Sequence, residues 1–193
     1  MGFDGKEPDA CPQVNTRRLE EICRDLLAAL GEDPTREGLK DTPRRFAQMW
    51  RQFIEYEPGN IETAFSSVSG DQMIVVRGMK VYSMCEHHLL PFESDVSIGV
   101  ISDNKVLGLS KYARVAHKHA HRLQLQERLV AGIAAEVARL AETPDVAVIA
   151  RGEHLCMKMR GVRTEAEMVC SSLSGRFKHT GETRAEFLRL VGY

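Results

Sequence analysis

The sequence lacks long apolar runs, a strong net charge and a regular set of cysteines. No stretch approaches the ~20 apolar residues of a membrane helix, and residues 1–14 lack the apolar core of a signal peptide. A net charge of −1 provides no overall positive field, so we expect no nucleic-acid partner. Five unevenly spaced cysteines make a poor disulfide framework and favour a reducing compartment. We therefore expect a cytoplasmic protein that does not bind membranes.

The length of 193 residues suits one core domain with an extension. We predict a disordered lead over 1–15, a helical extension over 16–60 and a catalytic domain over 61–193. In the extension, apolar residues recur at three- and four-residue steps up to Leu30, followed by Gly31 as a C-terminal cap. A second helix is predicted to begin at Thr42-Pro43.

Residues after Pro58 change from helical to mixed patterning. The elements predicted there are a strand over 73–82 broken near Gly78, a half-exposed strand over 96–100, a helix from Lys111 capped by Ser110, a helix over 129–140, a strand over 146–150 and a final helix opened by a Thr183–Glu186 capping box. This order favours an α+β fold with a mostly antiparallel sheet.

Cysteine and histidine residues form two short clusters. Cys85 and His88 can reach one ion across a turn, and thiolate and imidazole are the ligands that zinc prefers. His154 and Cys156 stand at the end of a predicted strand, where alternate residues share a face. The clusters could therefore converge on one zinc ion across neighbouring strands.

Two plainer interpretations stay open. The cysteines could be small core thiols, or the zinc could be structural, with His87, His154 or Cys170 as the fourth ligand. Two thiolates and one imidazole leave room for water, whose pKa zinc lowers to about 7. The spare imidazoles of His87 and His154 would then be placed to move protons. That combination favours hydrolytic attack on a C=N carbon.

Candidate ligand-binding residues lie in two further strings. Ser110 and Lys111 at a predicted helix start, with Arg114 one turn on, suit an anion, and Arg160 adds a further phosphate donor. Each of these could equally be a solvated surface charge. Within Gln124–Arg128, a Gln beside a Glu can bind a purine edge, although the same string could be an exposed helix start.

Together these strings resemble the GTP cyclohydrolase I family over roughly residues 16–192. The matching strings are Ser83-Met84-Cys85-Glu86-His87-His88 through Pro91-Phe92, Gly108-Leu109-Ser110-Lys111, Gln124 through Leu129, His154-Leu155-Cys156, Met159-Arg160-Gly161-Val162, and Arg184 with Glu186-Phe187-Leu188. The resemblance implies conversion of GTP and water to 7,8-dihydroneopterin triphosphate and formate, the first step of tetrahydrofolate and pterin biosynthesis.

The resemblance also implies a role for each matching residue. The implied zinc ligands are Cys85, His88 and Cys156; the implied catalytic residues are His87, His154 and Ser110; the implied guanine contacts are Leu125, Gln126 and Glu127; and the implied triphosphate contacts are Lys111, Arg114, Arg160 and Arg45. The implied fold is the tunnelling fold, an antiparallel sheet with paired helices, closed into a barrel by oligomerisation. The implied assembly is a homodecamer of two pentamers with sites at subunit interfaces.

Two other functions remain alternatives. A zinc deaminase acting on a purine is one, although the His-x-Glu and Pro-Cys-x-x-Cys signature is absent. A non-catalytic oligomeric protein that keeps GTP or zinc for structure is the other.

Overall fold

The computed structural model describes residues 13–66, 72–103 and 105–193. The chain divides into two compact units, Met1–Glu57 and Pro58–Tyr193. The predicted disordered lead over 1–15 falls almost wholly outside the described residues. In the described part of the chain, no helix is both long and apolar enough to cross a membrane.

Over the described residues 13–57, the first unit contains two helices, α1 (Thr16–Ala29) and α2 (Thr42–Ile54). The predicted cap of α1 at Gly31 is confirmed: its φ is +82°, and the backbone N–H groups of Gly31 and Glu32 donate to Ala28 and Leu27. This pattern is the Schellman motif, in which glycine accepts the left-handed conformation at no steric cost. The second helix begins at Thr42 as predicted, although Asp41 occupies the cap position.

The second unit alternates strands and helices. Its elements are β1 (Ala64–Ser66), β2 (Met73–Cys85), β3 (Pro91–Ile101), β4 (Lys105–Leu107), α3 (Leu109–Ala120), β5 (Leu123–Gln124), α4 (Gln126–Ala141), β6 (Val146–His154), α5 (Leu155–Lys158), β7 (Glu167–Leu173), α6 (Gly175–His179) and α7 (Gly181–Val191).

A five-stranded sheet in the order β5-β2-β3-β6-β7 forms the centre of this unit. All pairs are antiparallel except β2–β5, which is parallel over two residues. Strands β1 and β4 form a separate antiparallel pair. The predicted α+β fold with a mostly antiparallel sheet is therefore confirmed. The predicted break in β2 is a register shift between Val76 and Met79, where Gly78 has φ +75°.

Helices α3 and α4 pack on one face of the sheet, where β3 contributes Val96, Ile98 and Val100 to the main core. The prediction that β3 is half-exposed is wrong, because its other face is covered as well. Gly99 lies against the ring of Phe187 from α7, and Phe187 packs with Phe177 of α6 at a ring separation of 5.4 Å.

Three predicted element boundaries are corrected. Helix α3 begins at Leu109 with Gly108 at its cap, so Ser110 lies inside the helix. Helix α7 has Thr180 at its cap, which places Thr183 within the helix and excludes the predicted capping box. Strand β6 runs past the apolar stretch 146–150 to His154 but stops short of Cys156.

Candidate metal centre

The sheet register brings the two Cys/His clusters together. In the antiparallel ladders, Met84 pairs with Pro91 and Phe92 pairs with His154. The end of β2 and the end of β6 therefore flank the start of β3. Cys85 closes β2, and Cys156 lies in the first turn of α5, just after β6. The ligand atoms of Cys85, His88 and Cys156 all lie within 4.8 Å of one another.

A tight turn folds His87 and His88 back over Cys85. The carbonyl of Cys85 accepts from the N–H groups of His88 (3.3 Å) and Leu89 (2.8 Å), and the Cys85 N–H donates to Leu90 (2.8 Å). Leu89 takes φ +55°, a left-handed conformation that is costly for a branched side chain. Such strain persists only where surrounding contacts hold it.

The three side chains fit a zinc ion chemically. Two thiols and one imidazole are the donor set that zinc prefers. Burial raises the pKa of the Cys156 thiol, and the neighbouring Cys85 raises it further, while Arg160 acts in the opposite direction. Two adjacent thiolates are therefore unfavourable without a bound cation, whose binding would displace the protons. Among the described residues, this is the one group of three such ligands.

Cys156 lies in this group as predicted, but the prediction that it lies on a strand is wrong. Cys156 and His154 were expected to share a face of one strand. Instead β6 ends at His154 and a short helix begins at Leu155, so Cys156 enters from α5.

His154 is held in one orientation by two contacts. Its ring stacks on Phe92 with 4.5 Å between centroids and 8° between planes, and its Nε2 lies 2.8 Å from Oε1 of Gln126. The Gln126 Nε2 donates to the carbonyls of Ala150 (2.9 Å) and Met168 (2.8 Å). The amide oxygen must therefore accept, which puts the proton of a neutral His154 on Nε2. Nδ1 is then the nitrogen that can take up or release a proton.

The environment of His154 favours the neutral ring. Burial lowers its pKa, and the negative charge of Glu127 partly offsets that effect. Glu127 therefore lies within electrostatic reach of His154. Gln126 is 1% exposed, and its amide contacts the backbone and His154 where a contact with guanine was predicted. Gln126 and Glu127, which were predicted together as guanine contacts, therefore have different environments: Gln126 is buried and Glu127 is exposed.

Two of the four predicted phosphate contacts, Lys111 and Arg114, lie on α3. Lys111 Nζ donates to the carbonyl of Asn60 at 2.7 Å, and Arg114 Nη1 donates to that of Pro58 at 2.6 Å. Ser110 is exposed at the start of the same helix.

The remaining predicted residues lie outside α3. Arg160 is exposed in the turn after α5, and Arg45 is exposed on α2 in the first unit. His87 is exposed, with its Nδ1 4.0 Å from the Cys85 sulfur. The backbone N–H of Leu125 donates to Gln124 Oε1 at 3.0 Å.

Several residues that shape the site were missed from the sequence. Phe92 was assigned no role from the sequence, yet its ring stacks on that of His154. Glu86 and Arg128 form an ion pair, although each stood in a separate string without a role. Their opposite charges in two strings that converge on one site were the available signal.

An α+β fold with a Cys–His–Cys group beside a half-buried, hydrogen-bonded histidine defines a candidate metal-dependent enzyme. Residues 19–192 match the family model of GTP cyclohydrolase I. A protein named GTP cyclohydrolase 1 from Sulfurihydrogenibium sp. (strain YO3AOP1) is 47% identical over 180 residues, which cover 92% of this chain and 96% of that protein. The chain therefore belongs to the GTP cyclohydrolase I family and is an enzyme of that type.

Two further relatives agree over similar lengths. A GTP cyclohydrolase 1 from Aquifex aeolicus (strain VF5) is 42% identical over 180 residues, covering 92% of this chain and 97% of its own. The GTP cyclohydrolase 1 from Hyperthermus butylicus (strain DSM 5456 / JCM 9403 / PLM1-5) is 40% identical over 179 residues, covering 92% of each chain. The similarity spans nearly the whole chain in each case.

Proposed function

We propose that the protein converts GTP and water to 7,8-dihydroneopterin triphosphate and formate. The observation that carries the proposal is the convergence of Cys85, His88 and Cys156 within 4.8 Å, close to an oriented histidine. Membership of the GTP cyclohydrolase I family supports the same reaction. The product would enter tetrahydrofolate or another pterin pathway.

Cys85, His88 and Cys156 are proposed to hold a zinc ion. A zinc ion with three protein ligands acidifies water to a pKa of about 7, so hydroxide becomes available at neutral pH. The surrounding residues then have to place the purine and handle its protons. Among the described residues, the group of ligand atoms within 4.8 Å of one another does not include Cys170, which supports leaving it outside the ligand set.

His154 is proposed to protonate the purine ring nitrogen that is released when the five-membered ring opens. Gln126 occupies its Nε2, so the transferred proton would pass through Nδ1. Exposed His87 is proposed to move protons near the ribose, and Ser110 to act in the later rearrangement of the sugar. Gln126 itself is proposed to orient His154, which its burial and three hydrogen bonds support.

Guanine recognition is proposed to rest on Glu127 and the backbone of Leu125. A carboxylate accepts from both the ring N–H and the exocyclic amine of guanine. The triphosphate would be bound by Lys111, Arg114 and Arg160. Lys111 and Arg114 now donate to neutral carbonyls, and a phosphate oxygen is a stronger acceptor for both cations.

Arg45 is proposed to reach the triphosphate from a second subunit, because the family assembles as an oligomer with sites at subunit interfaces. We propose a homodecamer of two pentamers, in which paired sheets close a tunnelling-fold barrel. Residues 16–60 would form its helical extension and 61–193 its catalytic domain. Free Cys85 and Cys156 suit the reducing cytoplasm.

Product analysis tests the proposed reaction directly. The zinc-loaded protein is incubated with GTP, and the products are identified by mass spectrometry. We expect formate and a pterin triphosphate in equal amounts. Ammonia without formate would point to a deaminase. No turnover with zinc bound would point to a non-catalytic binding protein. Loss of activity with zinc retained in a His154→Ala variant would support the enzyme, whereas full activity in that variant would remove the proton-transfer role from His154.

A further inference from the structure

Glu86 and Arg128 are charged residues that have no role in the proposed reaction, and they form an ion pair with each other. Glu86 lies between Cys85 and His87, and Arg128 follows Glu127. Building on the proposed function, we propose that Arg128 is a positioning residue for the metal centre. Through Glu86 and Gln124, it holds the turn of Cys85–Leu89 at a fixed place relative to the guanine-binding turn of Leu125–Glu127.

Arg128 binds three acceptors on two sides of the site. Its Nε donates to Oε1 of Gln124 at 2.7 Å, and its Nη2 donates to the carboxylate of Glu86 and to the carbonyl of Leu123 at 3.4 Å. A planar guanidinium offers these donors in a rigid fork. One side chain therefore fixes the metal-binding turn to the start of α4.

Gln124 connects the same two segments through its own hydrogen bonds. Its side chain is 1% exposed, and its Nε2 donates to the carbonyl of His119 at 2.9 Å. Its Oε1 accepts from both Leu125 N–H (3.0 Å) and Arg128. Its own carbonyl accepts from the Glu86 N–H at 3.2 Å. Gln124 thus contacts the metal-binding turn, the guanine-binding turn and the end of α3.

The Glu86–Arg128 pair is better suited to placing the turn than to stabilising the fold. The two side chains are 32% and 43% exposed, and exposed ion pairs contribute about 0–1 kcal/mol to stability. The turn needs an anchor, however, because Leu89 is left-handed and Glu86, His87, His88 and Leu89 are all exposed. Partners that orient metal ligands typically change metal affinity or activity by about 10–100-fold when removed.

The test compares Arg128→Met, Arg128→Lys, Glu86→Gln and the reciprocal Glu86→Arg/Arg128→Glu double variant. Zinc affinity is measured by chelator competition, ligand geometry by the visible spectrum of the cobalt-substituted protein, and kcat and KM with GTP. We expect Arg128→Met to bind zinc about 10-fold more weakly and to alter the cobalt bands. We expect kcat to fall by a similar factor, with a Tm close to that of the wild type.

The other variants separate positioning from folding. Arg128→Lys keeps the charge but loses the fork, so it should behave like Arg128→Met, whereas the double variant should recover part of the affinity. Arg139→Met is the matched control, since Arg139 lies on the same helix with its side chain 61% exposed and paired with Glu136, and its zinc affinity, cobalt spectrum and kcat should match those of the wild type. Glu86→Gln changes one exposed side chain conservatively and should reproduce the loss if Arg128→Met does not fold.

Unchanged zinc affinity, cobalt spectrum and kcat in Arg128→Met and Glu86→Gln would overturn the positioning role. A loss matched in full by a fall in Tm, or shared by Arg139→Met, would overturn it as well. The metal readouts do not depend on the reaction. If the wild type releases no formate while Arg128→Met still weakens zinc binding, the proposed function fails and the positioning role stands.

Discussion

At the scale of single residues, Gly152 is the position on which the orientation of His154 depends. A Cβ there would collide with the amide oxygen of Gln126 and lie 3.0 Å from the buried hydroxyl of Ser94. Gln126 cannot retreat easily, because its Nε2 is bonded to two backbone carbonyls. We expect Gly152→Ala to break the bond to His154 and to lower kcat at least 10-fold, an order-of-magnitude value typical of general acid–base groups.

Steady-state kinetics with GTP check this, together with Tm. Gly99→Ala is the matched control: its Cβ would lie 2.7 Å from the Phe187 ring, on the sheet face covered by α6 and α7. Both variants should lose about 1–3 kcal/mol of stability from overpacking, but only Gly152→Ala should lose kcat at temperatures where both are folded. Equal kcat values in the two variants would refute the role given to Gly152.

At the scale of elements, a buried charge cluster joins α3 to α4. Glu136 accepts from Lys118 and contacts His119 Nε2, each at 2.6 Å. Burial raises the pKa of Glu136, but the hydrogen bonds from His119 and Lys118 outweigh it and lower the value to about 2. Because the folded pKa lies below the ordinary 4.5, the carboxylate stabilises the fold above pH 4.5. That contribution, about 3 kcal/mol, is lost as the pH falls through about 2.

Urea unfolding between pH 2 and pH 6 measures this contribution. Glu136→Gln should be less stable than the wild type at pH 6 and should converge with it toward pH 2. Glu142→Gln, which removes an exposed ion pair with Lys105, should stay within about 0.5 kcal/mol of the wild type. A constant difference between Glu136→Gln and the wild type over the whole range would contradict the assignment.

Structural features that depend on neighbouring residues could be predicted from the sequence. Features that depend on residues far along the chain could not. The glycine cap of α1 and the break near Gly78 follow from backbone freedom, which the sequence states directly. Burial of both faces of β3 depends on Phe177 and Phe187, about 80 residues further along the chain, so no pattern within β3 could show it. The switch from strand to helix at His154–Leu155 was missed because alternation and a helical turn fit the same few residues.

The site divides in the same way. The spacing of Cys85 and His88 is local, and together with the second cluster of His154 and Cys156 it predicted a metal site. The bond between Gln126 and His154 joins residues 28 positions apart and exists because α4 packs on the sheet beside β6. Only the assembled fold could therefore separate Gln126, which is buried, from its exposed neighbour Glu127.

At the scale of the whole molecule, the sheet has two edges available for pairing. Within the described residues, β7 pairs only with β6, and the outer side of β2 pairs with β5 only at Met84 and Cys85. Native proteins normally protect the unpaired backbone groups of such edge strands, for example by covering them with another segment. We therefore expect subunits to pair through these edges, as the proposed decamer requires.

Sedimentation velocity and activity over a dilution series check the assembly. If subunit interfaces complete the active site, the specific activity should fall in step with dissociation. Added zinc should not restore it at low concentration. A fully active monomer would contradict an interfacial site and would leave the role of Arg45 without support.

The proposed reaction requires the arrangement in which Cys85, His88 and Cys156 hold one zinc ion and leave room for a solvent molecule. X-ray absorption fine structure of the zinc-loaded protein tests it most directly. We expect two sulfur ligands, one imidazole and one further light-atom ligand, with a sulfur lost in Cys156→Ser. A zinc ion with fewer than two sulfur ligands, or with a third thiolate or second imidazole in the fourth position, would contradict it.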